Sequence, residues 1–283
     1  VSLTLVEAWT AARDRLKAAG IDGPVIDARI LVEAAAGASR ADILADPRRP
    51  LSEAQMAALD GFVARRLARE PISHILGRKG FWTIMLKVSP DVLTPRPETE
   101  TLVELVLRDL PTGTPFNVLD LGVGSGAILL AILAERPAGK GLGVDVSEEA
   151  LAVARENAVN LGLGGRVALL RGDWTAGLGA AGFDLVVSNP PYVRTGDIAT
   201  LAPEVRDHEP RLALDGGADG LATYRRLAPE ILRVLKPGGR FAVEVGEDQA
   251  AAVAGLFRDA GAADVASVRD LADHDRVVAG RRS

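Results

Sequence analysis

The sequence predicts an α/β protein in which a mostly parallel sheet follows a small all-helical domain. Three observations carry this. The first seventy or so residues show only the spacing of amphipathic helices. From Pro115 onward, short apolar strands alternate with helical segments, the pattern of a parallel sheet covered on both faces. Between the two, residues 75–88 carry short apolar runs around Gly77 and Gly80, which fit a β-hairpin better than a helix. A chain of 283 residues is long enough for two such domains with sizeable cores, at roughly 150 residues per domain.

In order along the chain, Leu5, Trp9, Ala12 and Leu16 form a first helical stripe, and Ala28, Leu31, Val32 and Ala35 a second within Asp27 to Ala36. A short helix follows Ser39. A longer one starts at Ser52, where Gln55 three residues on completes a capping box. Its stripe of Met56, Leu59, Phe62, Val63 and Leu67 is expected to end at Glu70-Pro71, because the residue before proline is pushed out of the helical region. After the hairpin, Pro95-Arg96-Pro97-Glu98 leads into a helix from Glu98 to Leu110, with proline and acids in its first turn. Strands are then expected at 116–121, 141–146, 167–171, 183–188, 240–246, 265–269 and 276–279, and helices at 127–135, 147–161 and 220–235.

Composition excludes several functions. With 48% hydrophobic residues, 25% charged residues and a net charge of −5, global disorder is out. The absence of cysteine removes disulfides, thiolate nucleophiles and cysteine-ligated zinc or iron–sulfur sites. His74, His208 and His274 are widely separated and read as structural or exposed, so no metal is expected. The mildly acidic chain lacks the basic footprint of a dedicated nucleic-acid binder; Arg206 and Arg211 could meet an acidic or RNA-like partner, or form a solvated rim. The most apolar run, Ala127 to Ala134, is well short of the roughly 20 residues a membrane helix needs and is closed by Glu135-Arg136. No transmembrane or secretory segment is expected, and the chain reads as cytoplasmic.

Ligands of open α/β sheets sit at the carboxyl ends of the strands. The first strand of the alternating region is followed by Asp120-Leu-Gly122-Val123-Gly124-Ser125-Gly126, whose glycines allow a tight turn and close approach of a ligand to a helix N-terminus. Asp145, about 20 residues on, ends the second strand and can accept hydrogen bonds from both hydroxyls of an adenosine ribose. These features alone fit a nicotinamide cofactor or S-adenosylmethionine equally well. Asp173-Trp174 follows the third strand and offers adenine a polar partner and an apolar wall, or serves as an ordinary turn.

Asn189-Pro190-Pro191-Tyr192 follows the fourth strand. A planar amide nitrogen is a poor nucleophile because its lone pair is delocalised into the carbonyl. Accepting both of its hydrogens, with the Asn189 side-chain oxygen and the Pro190 carbonyl, would hold that lone pair toward a methyl donor. The prolines stiffen the loop and bring no N–H of their own. Tyr192 is expected to stack on the flat target group and ease positive charge nearby.

The Asp120–Gly126 loop together with Asn189-Pro-Pro-Tyr192 resembles the amino-methyltransferase group of S-adenosylmethionine enzymes. Added to Pro95-Arg-Pro-Glu-Thr-Glu100 and the helical N-terminal region, the chain resembles the HemK/PrmC family of peptide chain release factor glutamine methyltransferases. The likeness extends over Glu70-Pro71-Ile72, Glu204-Val205, Glu209-Pro210, Leu214 to Gly217, Asp219-Gly220 and Lys236-Pro-Gly-Gly239. Gly80 departs from it, since a glutamate is common there; Phe81 fits. The resemblance implies a Rossmann-like S-adenosylmethionine-dependent methyltransferase domain with a seven-stranded sheet over 93–283. A helical substrate-recognition domain over 1–73 and a hairpin connector over 74–92 precede it. It also implies that Gly122, Val123, Gly124, Ser125 and Gly126 hold the methionine part of S-adenosylmethionine, that Asp145 holds the ribose, and that Asp173 and Trp174 flank adenine. Asn189, with Pro190, Pro191 and Tyr192, would hold a glutamine of the Gly-Gly-Gln motif in class-1 release factors, with Arg96 and Glu98 beside the site. The expected partner is thus a protein, with no membrane and no direct nucleic-acid substrate. The alternatives are a glutamine methyltransferase of a ribosomal protein, an adenine-N6 nucleic-acid methyltransferase, a silent release-factor-binding module and a NAD-dependent oxidoreductase. The last leaves Asn189-Pro-Pro-Tyr192 unexplained.

Overall fold

The computed structural model describes residues 2–283, and the chain divides into two compact units, one of residues 1–77 with 202–208 and one of residues 78–201 with 209–283. In the first, helices α1 (Leu5–Ala18), α2 (Pro24–Ala36), α3 (Arg40–Ala45) and α4 (Glu53–Leu67) pack around Leu5, Leu16, Leu31, Val32 and Val63. Thr4 with Glu7, Ser39 with Asp42, and Ser52 with Gln55 form reciprocal capping boxes that satisfy the first N–H groups of α1, α3 and α4. Trp9 is half-buried, its indole N–H donating to the Val25 carbonyl at 3.1 Å.

Helix α4 stops before Glu70-Pro71, because Arg69 adopts a left-handed conformation with φ 68°. A further helix, α5 (Ile72–Leu76), occupies the start of the segment expected to be hairpin and is ended by Gly77 at φ 66°. The expected connector therefore loses residues 74–76 to helix. Beneath α4, the buried Arg66 guanidinium is paired with Asp27 at 2.7 Å and Glu204 at 2.9 Å, which supplies the partners that a buried cation requires.

The second unit begins with the hairpin β1 (Arg78–Phe81) and β2 (Ile84–Lys87). The hairpin is tied into this unit: the Trp82 N–H donates to Glu100, and the Lys87 N–H to Asn157 Oδ1 at 2.7 Å. Where one helix was expected from Glu98, a 3-10 turn over Pro97–Thr99 precedes α6 (Glu100–Asp109). There follow β3 (Phe116–Leu121), α7 (Ala127–Glu135), β4 (Gly139–Asp145), α8 (Glu148–Asn160), β5 (Val167–Arg171) and β6 (Phe183–Ser188). The single turn α9 (Pro203–Arg206) belongs to the first unit. The chain continues through α10 (Ala222–Val234), β7 (Leu235–Glu244), α11 (Ala250–Asp259), β8 (Ala262–Arg269) and β9 (Asp275–Arg282).

The seven strands lie in the order β5-β4-β3-β6-β7-β9-β8, parallel from β5 to β7, with β9 antiparallel to both its neighbours. Successive residues of the central strands point to opposite faces. Val118 and Val187 join Leu102, Leu129 and Leu151 in one core, while Leu119 and Val186 join Tyr224, Leu227 and Phe257 in the other. Helix α11 is absent from the sequence reading. Its run of alanines gives little periodic contrast, yet Val253, Ala254 and Phe257 are buried and the Phe257 ring stacks on Phe241 at 4.0 Å. Among the described residues, no helix is long and apolar enough to cross a membrane.

Candidate active site

Leu121 at the end of β3 is in register with Val144 of β4 on one side and Ser188 of β6 on the other. Gly122, Asp145 and Asn189 therefore leave the sheet side by side at its carboxyl edge. From β3 the connections run to opposite sides, which makes this the switch point where open α/β sheets bind ligands. A cavity of about 570 Å³ opens there, within the range of small-molecule sites.

Of the residues expected at the site, Arg96, Gly122, Val123, Gly124, Ser125, Asp145, Asp173, Trp174, Asn189 and Pro191 line this cavity. Gly126, Pro190 and Tyr192 are not in its lining. Gly126, at φ 84°, is the N-cap of α7, and a Cβ there would lie 2.8 Å from Leu130 Cδ1. It lets the helix begin tightly against its own first turn.

The Asp145 carboxylate joins two segments of the loop edge. Its Oδ2 accepts from the Gly124 N–H at 2.9 Å and its Oδ1 from the Ser147 N–H at 3.0 Å. Each oxygen keeps acceptor capacity for a hydroxyl. Gly122 takes φ 72°, a conformation that favours glycine, and faces the Trp174 ring, which would lie in ordinary contact at 3.4 Å from a Cβ there. Trp174 itself has φ 56°, a conformation unfavourable for a bulky residue and held by its surroundings. Asp173 shares its carboxylate with Arg226 at 2.9 Å, so its acceptor capacity is already partly committed.

Asp120 opens the glycine loop, and the sequence reading gave it no role. It is buried and lines the cavity; Oδ2 accepts from the Leu129 N–H at 3.2 Å, while Oδ1 has no hydrogen-bond partner among the described residues. Burial, reinforced by the nearby Asp145 charge and opposed by the Leu129 N–H, pushes its carboxyl up to about 8.

Asn189 stands at the cavity with Nδ2 donating to Thr99 Oγ1 at 3.4 Å. Pro190 is buried. The loop is clamped from behind: Gln249 Nε2 donates to the Tyr192 carbonyl at 2.9 Å, and the Val193 N–H donates to the Leu214 carbonyl at 2.9 Å. Gly216 packs so closely that a Cβ would sit 2.7 Å from Tyr192 Cα. Tyr192, expected from the sequence to stack on a target group, is partly buried. Its ring packs against the core formed by α10 and α11, and its hydroxyl donates to Glu244 Oε1 at 3.2 Å. Burial raises its pKa, and the Glu244 charge adds to the shift.

Arg96 reaches across to Glu209 at 2.6 Å. Burial raises the Glu209 pKa, opposed first by the Arg96 charge. Glu98 is exposed. The sequence reading also missed Thr99 and Leu212 in the lining, and Glu244 behind it. Thr99 lay within a motif already singled out, but only the fold shows which of its side chains turns inward.

The chain is 67% identical over 280 residues to the release factor glutamine methyltransferase of Caulobacter vibrioides, covering 99% of this chain and 97% of that one. It belongs to the release factor glutamine methyltransferase family. Other members include those of Rhodospirillum rubrum, 47% identical over 95% of this chain and 82% of that one, and Agrobacterium fabrum, 41% identical over 96% and 95%. Family models described as the PrmC N-terminal domain and a methyltransferase domain match residues 7–77 and 115–268. In fold, this member of the release factor glutamine methyltransferase family is similar to a methyltransferase from Pyrococcus furiosus, with a TM-score of 0.54 at 19% identity over 78% of this chain and 97% of that one. It is likewise similar to a ribosomal protein L11 methylase from Lactobacillus delbrueckii subsp. bulgaricus, with a TM-score of 0.51 at 21% identity over 70% and 86%.

Proposed function

We propose that the protein transfers a methyl group from S-adenosylmethionine to the side-chain amide nitrogen of the glutamine in the Gly-Gly-Gln motif of class-1 peptide chain release factors, acting in the cytoplasm. The observation that carries this reading is Asn189, presented by a proline-stiffened turn to the same cavity that Gly122 and Asp145 line. An amide acceptor beside a nucleoside-type site is what amide methylation requires.

The cavity's donors and acceptors fit the cofactor. Asp145 offers acceptors for a ribose, Trp174 an apolar wall, and the unpartnered Asp120 Oδ1 a buried acceptor for a cationic group. When bound, the cofactor supplies an electrophilic methyl group on a sulfonium. The protein's own residues orient the nucleophile: Asn189 Oδ1 and the Pro190 carbonyl take the two amide hydrogens, so the nitrogen lone pair is held in one direction. The amide proton leaves after the nitrogen gains the methyl group, so no strong base is needed. The clamp by Gln249 and Gly216 keeps the turn from relaxing. The helical unit of residues 1–77 recognises the release factor in this reading, since remote contacts on a protein substrate hold its reacting side chain in place.

The test is a panel of incubations with methyl-labelled S-adenosylmethionine and, separately, a class-1 release factor, ribosomal proteins and duplex DNA. Label on the release factor alone supports the proposal. Label on a ribosomal protein or DNA in its place supports the corresponding alternative.

A further inference from the structure

We propose that Arg96 holds a main-chain carbonyl of the substrate segment beside the acceptor glutamine, and that the buried Glu209 is the positioning residue that aims it. This rests on the reading that the acceptor is the glutamine of a Gly-Gly-Gln motif. Two glycines offer no side chain to recognise, so what remains to be held is the chain's own N–H and C=O groups. Asn189 and Pro190 take up the side-chain amide of the glutamine. Donors for the carbonyls must come from another part of the site.

Arg96 has such donors to give. It lies between Pro95 and Pro97, with its backbone extended at φ −98° and ψ 145°, as a following proline requires. Its side chain lines the cavity together with Thr99, Asn189, Pro191, Pro210 and Leu212, and stays 35% exposed. Thr99, three residues on, meets the Asn189 amide at 3.4 Å, so Arg96 and Asn189 belong to one end of the cavity. One donor is committed, since Nη2 donates to Glu209 Oε2 at 2.6 Å. Nε and Nη1 have no hydrogen-bond partner of standard geometry among the described residues. A guanidinium can serve both sides at once because its N–H groups are spread around a rigid plane.

Glu209 fixes the direction of that plane. Its side chain is 1% exposed, and a guanidinium donates to a carboxyl oxygen whether the acid is ionised or neutral. The segment that carries it is tied to the turn after β6: the Val193 N–H donates to the Leu214 carbonyl at 2.9 Å, and the Gly216 N–H to the Val193 carbonyl at 2.8 Å. Glu209 thereby sets Arg96 in register with Asn189. This contact stands on the β6 side of the cavity, where Leu212 is exposed at its edge, whereas the glycine loop and Asp145 leave β3 and β4. Arg96 therefore faces the substrate chain.

The experiment compares Arg96→Lys, Glu209→Leu and the double variant with wild type in the full-length protein. The readouts are steady-state methylation of an intact class-1 release factor, calorimetric titration with S-adenosylmethionine and a thermal melt for folding. Arg96→Lys keeps a cation opposite Glu209 but loses the planar fork. It is expected to raise KM for the factor by about tenfold, with kcat and cofactor affinity within about threefold of wild type, because a contact held equally in ground and transition states acts on binding. Glu209→Leu should raise KM by about the same factor, and should add less than about twofold in the Arg96→Lys background, since it acts through Arg96. Wild-type KM in a folded Arg96→Lys protein overturns the proposal, as do additive losses in the double variant. A cofactor affinity weakened by about tenfold with KM for the factor unchanged would give Arg96 to the cofactor, and overturns it too. A wild-type protein that leaves the release factor unmethylated overturns the Gly-Gly-Gln reading, and this proposal with it.

Discussion

The backbone N–H of Gly124 donates to Asp145 Oδ2 at 2.9 Å, joining the glycine loop after β3 to the acid at the end of β4. With the Ser147 N–H on its other oxygen, Asp145 is both a loop clamp and the helix-entry acid of α8, while its remaining acceptor capacity faces the cavity. One carboxylate therefore organises the loop and presents itself to a ligand.

Asp145→Ala should weaken S-adenosylmethionine binding by about a hundredfold or more, because two charge-assisted hydrogen bonds to the ribose, each worth about 1.5–3 kcal/mol, are lost along with the clamp on Gly124. Turnover at saturating cofactor should change much less. Calorimetric titration checks this, and unchanged affinity would leave Asp145 a purely structural acid.

Asp120 gives a pH dependence. Its carboxyl is pushed by burial from the ordinary 3.8 to about 8, so the folded protein holds a proton that the unfolded chain has released. Its contribution to stability is full below about pH 4 and is lost as the pH rises through about 8. The ligand-free protein should lose stability between about pH 4 and 8 relative to Asp120→Asn, which carries no titrating group there. Thermal melts of both proteins across that range test it; parallel curves would contradict it.

Most of the sheet was legible because β3, β5 and β6 are short apolar runs bounded by turn residues, and α8 carries a clear start signal in Ser147 with Glu148 and Glu149. Helix α11 was not, since alanines carry little periodicity, and neither was α5, whose five residues are too few to show any. At the site, Asp145, Trp174 and Asn189 stood out by following strands. Thr99, Glu244 and Asn157 did not, because each acts through a contact between segments far apart in sequence.

Asn157 is the clearest of these. Fully buried in α8, it accepts from the Lys87 N–H and donates to the carbonyls of Lys87 and Ser125, tying the hairpin to the glycine loop. Asn157→Ala should destabilise the protein by about 2–4 kcal/mol, since three backbone groups lose their partner in a buried place. Chemical denaturation measures this, and a change under about 0.5 kcal/mol would mean that water replaces the side chain.

Asn189→Ala should leave cofactor affinity within a few-fold and lower methyl transfer by about a hundredfold or more, the ~3 kcal/mol typical of a preorganised group acting in the transition state. Single-turnover kinetics with saturating cofactor separates this from binding.

The central claim is that the acceptor atom is an amide nitrogen of a glutamine side chain, and mapping the methylated atom tests it most directly. An intact class-1 release factor is incubated with the protein and isotope-labelled S-adenosylmethionine, digested, and sequenced by fragmentation mass spectrometry. The account predicts one added methyl group on the glutamine of the Gly-Gly-Gln motif, released on acid hydrolysis as methylamine. A methyl group on any other residue, or a release factor left unmodified by a protein that binds the cofactor, would contradict it.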